Sequence, residues 1–563
     1  MQPAVWSKSP LFVLVFMLAI GCSALPPDED ASGLGSVISA RTEPASTTPR
    51  LKPDASRRVD LEARVAGEAT ASRPQGVGVG APASGPQAVA APQENSDTDT
   101  PVQDGESAAI DENVPAADEP SSEPDGPWRL ETALGLPDWL EISGAQRTRY
   151  ETLDSDFRVI RQGSSNQLWA LRTLLKATAH VDRFRITAEG IDSRQFRAPD
   201  DAFLNTGTVN AVELLQGFVG ARFDGVFADG DSLDLQLGRQ TIDIGGRRLV
   251  ARNNYRNTIN AFTGLNGKWK NDDNQTLEAF IVMPVRRLPR RPSELDDNDV
   301  RFDEEQDETE FFGVHASSPV FNEDVTGELY FFGLDEDDES DVLTRNRELY
   351  TVGARVVRKP AAGEVNFEWE SAFQWGESRS TPLPTDTEDL DHTAMFHHLS
   401  VGYQFDVRFK PLVEALFDYA SGDQDSGDGD NNRFDTLFGA RRFEFGPTGI
   451  FGAFARANLI SPGLRVKFSP AANTKVMLAH RLHYLASKED FWTTSGLRDP
   501  DGDSGRFIGQ LAEIRVRHEI LPKNLMLEAG YAHLFAGEFP SDAPLSDGRD
   551  DSSYAYVATT ITF

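Results

Sequence analysis

The sequence predicts an all-β fold: a single closed antiparallel transmembrane β-barrel of about 18 strands, preceded by a disordered N-terminal segment. Three observations predict it. From Trp128 to Phe563 short runs alternate polar and apolar residues, the period of a two-faced strand. Long acidic loops take turns with tight connections along that stretch, which matches a barrel with long loops on one rim and short turns on the other. With 39 % hydrophobic residues and a mean hydropathy of −0.42, the chain has no apolar run of roughly 18 residues to cross a bilayer as a helix, which excludes a multi-span helical protein. Alternating strands average to such a composition without difficulty.

The N-terminus reads as an address. Lys8 precedes the apolar run Leu11–Ile20, then Gly21-Cys22-Ser23-Ala24, the pattern of a secretory signal over residues 1–22. Cys22, the single cysteine, sits behind Ala19-Ile20-Gly21 like the acylated cysteine of a lipobox. Ordinary cleavage after Ala24 is the other reading. Residues 23–127 are rich in Ala, Pro, Ser and Gly, and residues 23–126 hold 19 acidic and 7 basic side chains, a net of −12. Such a segment buries too little apolar surface to offset its ordering entropy and is expected to be a disordered linker. Gly76, Gly78 and Gly80 fall in it and read as linker, not as a phosphate loop.

The barrel is assigned to residues 128–563, which number 436. At roughly 24 residues per strand and loop this gives about 18 strands around an aqueous lumen. In Leu140–Thr152, Ser143, Ala145, Arg147, Arg149 and Glu151 share one face; Leu140, Ile142, Thr148 and Tyr150 share the other. In Leu168–Thr178, Trp169, Leu171, Leu175 and Ala177 oppose Arg172, Lys176 and Thr178. Eleven further runs follow, from Phe184–Glu189 to Tyr554–Phe563. Tyr150, Trp169, Phe443, Phe445 and Tyr556 are expected to form an outward aromatic girdle. The last strand carries Val557, Thr559, Ile561 and Phe563 on one face, like a signal for outer-membrane assembly.

Charge narrows the chemistry. A net charge of −34 argues against a nucleic-acid partner, which needs a basic face. No G-x-S-x-G elbow occurs, so no nucleophile is in evidence and an enzyme is not expected. His480 and His483, or His397 and His398, cannot share a metal, because strand residues an odd number apart face opposite ways. Asp499, Asp501 and Asp503, and Asp428 and Asp430, are weak calcium candidates that lack the EF-hand glycine and bidentate glutamate. A solvated anionic rim is the plainer reading, and no other cofactor is expected.

The informative charges are basic. Arg147, Arg149, Arg172, Lys176, Arg239, Arg248, Arg252, Arg355 and Arg481 are assigned to the lumen, since a charge on the lipid side costs roughly 2–4 kcal/mol at mid-membrane. Arg185, Arg247, Arg256, Arg515 and Arg517 extend the set. Forked guanidiniums around water attract and hold anions. Alternatively each pairs with a neighbouring Glu151, Glu189, Glu213 or Glu513 and braces the wall.

From Gln146 onward the sequence resembles the alginate export family of outer-membrane barrels. The resemblance rests on Arg147-Thr148-Arg149-Tyr150-Glu151, Leu237-Gly238-Arg239-Gln240, Gly245-Gly246-Arg247-Arg248, Tyr255-Arg256-Asn257 and Ala420-Ser421-Gly422-Asp423. Arg433 to Phe438, Asn458-Leu459, His480 to Trp492, Ile508 to Glu513, Gly530 to His533 and Gly537 complete it in order. It implies an eighteen-stranded channel in the bacterial outer membrane, passing acidic polysaccharide or other anionic solutes by diffusion through lumenal arginines. Lipid, an anionic polysaccharide and periplasmic secretion proteins are the partners implied. A general diffusion porin or a structural outer-membrane protein is the alternative. The acidic segment before Trp128 departs from the family's compact form.

Overall fold

The computed structural model describes residues 127–161, 163–199, 202–337, 344–383, 385–546, 548 and 551–563. The signal assigned to residues 1–22, Cys22, the Gly76–Gly80 run and linker residues 23–126 lie outside the described residues. Among the described residues twenty strands follow in chain order. Two of them, β8 (Glu304–Glu305) and β15 (Asp430–Asn431), are two-residue pieces within long connections. The other eighteen run from β1 (Leu140–Asp154) and β2 (Asn166–Val181) to β19 (Leu525–Ala536) and β20 (Ser552–Thr562), each antiparallel to the next. In β1, Arg147 lies opposite Arg172 of β2 on one side and Thr560 of β20 on the other. The sheet therefore closes with no free edge.

The connections alternate between rims. Asp182-Arg183 after β2 and the three residues 522–524 before β19 are tight turns; 241–261, 287–308, 421–458 and 485–506 are long. Short turns face the periplasm and long loops the exterior. In β1, Ala145, Arg147, Arg149, Glu151 and Leu153 are buried inward, as the alternation predicts. Outward, Leu175, Leu237 and Val557 are more than half exposed, as lipid-facing residues must be. Tyr150 packs on Trp169 at 5.1 Å, and Phe331, Tyr350 and Trp375 follow one another at 6.3 and 5.9 Å, an aromatic belt at the outer rim. Phe227 and Trp269, 6.4 Å apart, belong to its periplasmic counterpart.

Three expected girdle members are corrected. Phe443 and Phe445 lie on a short helix, Arg442–Phe445, in the loop 421–458, and Phe445 is buried inside. Its sequence RRFEFG alternates like a strand but forms one helical turn. Tyr556 also points inward, where its hydroxyl donates to Glu528 at 2.5 Å, while Val557 takes the outward place.

The expected water-filled lumen is corrected as well. Loops 241–261 and 421–458 fold into the barrel and pair with each other: Val250 bridges Phe438, Ala251 N–H donates to Phe438 O at 3.1 Å and Phe438 N–H to Leu249 O at 2.9 Å. Around them Phe157, Phe451, Phe454 and Trp492 form one apolar cluster, and Val250, Phe262, Phe311 and Phe332 another. This plug fills the extracellular half. Toward the periplasmic rim the inward-facing Glu141, Ser143 and Lys176 are exposed.

Candidate functional site

The plug meets the wall mainly through arginine. Arg147 and Arg172, side by side across β1 and β2, reach the same two main-chain oxygens of the plug. Arg147 donates to Asn254 O at 2.9 Å and Arg256 O at 2.5 Å; Arg172 donates to these at 2.9 and 3.1 Å. Arg149 donates to Tyr255 O at 2.5 Å, and to Glu151. Three consecutive plug carbonyls are thus held by three wall guanidiniums. The plug backbone can present them because Asn253 adopts the left-handed conformation at φ 67°, which asparagine tolerates.

Opposite this face, guanidiniums and carboxylates form a lattice. Arg248 of the plug contacts Glu368 at 2.5 Å, Glu370 at 2.6 Å and Glu444 at 2.9 Å. Burial works against its charge, but Glu368, Glu444 and Glu370 outweigh that and hold its proton more firmly than usual. Arg355 on the wall contacts Glu328 at 2.5 Å and Glu368 at 2.7 Å. Arg481 contacts Asp418 at 2.5 Å, and Arg456 contacts Glu444. Near the outer rim Arg347 and Arg345 reach Asp435 at 3.0 and 2.5 Å. Burial opposes ionisation of Asp435, yet Arg347 and Arg345 hold its carboxyl well below the usual range.

Of the nine predicted lumenal cations, Arg147, Arg149, Arg172, Arg355 and Arg481 face the interior from strands. Lys176 faces the open periplasmic half and is exposed. Arg248 and Arg252, expected on a strand, stand on the plug, because Gly245-Gly246 and Asn253-Asn254 turn the chain inward there. Arg247 and Arg256 share that correction. Arg252 pairs with Glu189 at 2.7 Å, and Arg239 joins Glu213 at 2.8 Å to Glu305 of the loop 287–308 at 2.7 Å. The suggested bracing acids are all engaged: Glu151 by Arg149, Glu189 by Arg252, Glu213 by Arg239 and Glu513 by Arg442. Sequence reasoning missed Arg345, Arg347, Arg442 and Arg456, none of which falls in one of the alternating runs. The one available signal was the length of 241–261 and 421–458, far beyond what a turn needs.

The calcium candidates cap their own turns. Asp499 accepts from Ser504 N at 2.7 Å, Ser504 Oγ at 2.6 Å and Asp501 N at 3.1 Å, and Asp428 accepts from Asp430 N at 2.9 Å. Among the described residues no group of three His, Cys, Asp or Glu is placed to hold a metal. His480 meets Gln510 on the outer wall, while His483 is buried and stacks on Phe454 at 3.5 Å, so the two point apart as the strand geometry requires.

Residues 138–551 match the sequence profile described as alginate export, well over half of the chain. The chain belongs to the alginate export family. Among solved structures it is similar to OccAB3 of Acinetobacter baumannii, at 12 % identity, covering 75 % of this chain and 99 % of that one with a TM-score of 0.52. It is also similar to a BenF-like porin from Pseudomonas fluorescens Pf-5 (11 %; 75 % and 99 %; 0.49) and to OpdK of Pseudomonas aeruginosa (12 %; 75 % and 98 %; 0.47). Of these three, OccAB3 is the likeness that supports the fold. No curated protein matches the chain. This alginate export family member is accordingly an outer-membrane β-barrel of the channel type, in the bacterial outer membrane. Its family and fold are those of channels, which are not enzymes.

Proposed function

We propose that the chain passes acidic polysaccharide, alginate-like in charge, or smaller anionic solutes, by diffusion through the arginine-bearing lumen when the plug yields. One observation carries the reading. Arg147 and Arg172 converge on two neutral carbonyls, Asn254 O and Arg256 O, in the arrangement two guanidiniums would adopt around a carboxylate. A carboxylate brings a full negative charge that a neutral carbonyl lacks, and its two oxygens fit the forked donors of a guanidinium. A polymer carboxylate arriving from the open periplasmic half therefore competes well for those donors. The alternative, a diffusion porin or structural protein, is favoured by the lattice of Arg248, Arg355 and Arg481, whose carboxylate partners make them braces.

Single-channel recording in planar bilayers separates the two. The expected result is an anion-selective reversal potential and block by uronate oligomers, both weakened in the double variant Arg147→Gln/Arg172→Gln. Cation selectivity without block in the parent protein would leave the alternative.

A further inference from the structure

The chain joins the barrel at a fixed point of the periplasmic rim. Asn524, in the turn between β18 (Phe507–Leu521) and β19, receives Trp128 N–H and donates back to Trp128 O. Everything before Trp128 therefore starts at the foot of β18.

The lumen wall above that point is basic. Arg515 and Arg517 of β18 stand beside Lys475 of β17 (Thr474–Tyr484), which lies directly opposite Arg517, and Arg465 and Lys467 of β16 (Leu459–Ala471) continue the row. All five share the face of the buried Arg481 and its cross-strand partners Gly463 and Leu511. Among the described residues the carboxylates facing this row are Glu414, 2.8 Å from Arg465 and 3.4 Å from Lys467, Glu528, 2.5 Å from Arg517, and Glu519 nearer the rim. Glu513, deeper in, is matched by Arg442 of the plug. None of the five cations lacks a partner, yet five positive charges meet three negative ones, and the excess is one of field.

The segment that starts at this foot has the opposite sign. Residues 94–125 hold eleven Asp and Glu and no Lys or Arg, and Asp97, Asp104, Asp111, Asp118 and Asp125 recur every seven residues, so every stretch of the segment carries carboxylate. Arg517 stands four residues above Leu521, about 14 Å up the strand, whereas the ten residues from Asp118 to Trp128 span up to about 35 Å. The acids nearest the barrel thus reach the row, and a tether this short holds them at roughly millimolar effective concentration.

We propose that residues 94–125 dock on the basic row of β16, β17 and β18 from the periplasmic side, as a built-in polyanion that a carboxylate-bearing polymer must displace.

The docking rests on the wall and the tether; only the displacement rests on the function proposed above. Attraction between hydrated charges weakens as salt shortens the Debye length from about 10 Å at 0.1 M to about 3 Å at 1 M.

The test is photo-crosslinking of the full-length protein in lipid nanodiscs, with benzoylphenylalanine substituted for Ser121 and the adducts mapped by mass spectrometry at about 0.1 and 1 M NaCl. Adducts are expected on the periplasmic halves of β16, β17 and β18, falling roughly threefold or more in the higher salt. Replacing the eleven acids by Asn and Gln leaves every barrel residue in place and is expected to remove those adducts at low salt too. Lys475→Gln/Arg515→Gln is expected to lower them with the segment unchanged; should that variant fail to fold, the neutralised segment decides. Adducts confined to other parts of the rim, no adducts, or a yield indifferent to salt and to the eleven acids overturns the docking. A uronate hexamer added to the parent is expected to lower the yield. An undiminished yield overturns the displacement where the same oligomer still blocks the channel, and where it does not block, the function proposed above fails while the docking stands.

Discussion

Arginine in this lumen is distinguished by what accepts its hydrogen bonds. Arg147 and Arg172 spend donors on plug carbonyls, a contact a carboxylate can better, whereas Arg481 is locked to a carboxylate already. Asp418 receives Arg481 Nη2 at 2.5 Å and His398 Nδ1 at 2.8 Å, and all three side chains are buried. Two charges this deep cost much desolvation and repay it only as a pair, so removing one leaves the other stranded. Asp418→Asn is therefore expected to destabilise the barrel by about 3–5 kcal/mol in urea titrations in micelles, with the refolded remainder keeping its selectivity. A loss below ~1 kcal/mol would show that water reaches Arg481. The period-2 pattern and the cost of a charge on the lipid side put these arginines on the inner face. The sequence could not show which were braces, because the partner of Arg481 lies two strands away, 63 residues back in the chain.

At the scale of elements, thirteen of the eighteen long strands were readable, and the five that were not share causes. Thr276–Arg286 and Thr309–Val320 put Phe280, Val282 and Phe311 inward against the plug while Ile281 and Val314 face lipid. With apolar residues on both faces the alternation vanishes, so the plug that filled the lumen also hid its wall. Asn210–Asp224 slips register twice against its neighbour, Phe262–Lys270 carries Gly264 and Gly267, and Leu459–Ala471 is interrupted by Pro462-Gly463. The plug itself was unreadable because its order comes from contacts at long sequence separation. Replacing 246–256 by a short Gly/Ser link removes the carbonyls held by Arg147, Arg149 and Arg172. Conductance is expected to rise severalfold while the barrel stays heat-modifiable; an unchanged conductance would mean that the loop 421–458 blocks the path by itself. A second element carries a conflict. Glu377 stands outward between Glu348 and Asp391, directly opposite both. Like charges so placed repel. Glu377→Thr should raise the urea midpoint slightly and remove part of the stabilisation that added salt gives the parent.

For the molecule as a whole, one seam decides whether a row of strands becomes a barrel, because seventeen antiparallel ladders form between sequence neighbours and the last joins the two ends. Closing it brings together residues more than 400 positions apart, the costliest contact in the chain by loop entropy. The ends are built for it. Gly144 and Phe563 exchange two backbone hydrogen bonds, 2.8 and 2.9 Å long. Asn524, in the turn before β19, receives Trp128 N–H at 2.8 Å and donates to Trp128 O at 2.7 Å and Thr562 O at 2.8 Å. Trp128 in turn lies against the Phe563 ring at 6.5 Å. Phe563 is thus a stitch in the folded seam. Gly144 is what gives it room: a Cβ there would stand 2.5 Å from the Phe563 ring and 2.7 Å from Leu174 O, and the backbone oxygen cannot move aside without breaking the ladder. Gly144→Val should therefore open the seam at its periplasmic end alone. The expected outcome is a lower temperature for the shift in gel mobility and faster amide exchange in Leu140–Gly144 and Thr560–Phe563, with β12 (Val365–Ser378) and β13 (Leu390–Gln404) on the far wall unchanged. Exchange that quickens equally all round the barrel would show that the seam is not the weak line and that closure is shared by every ladder.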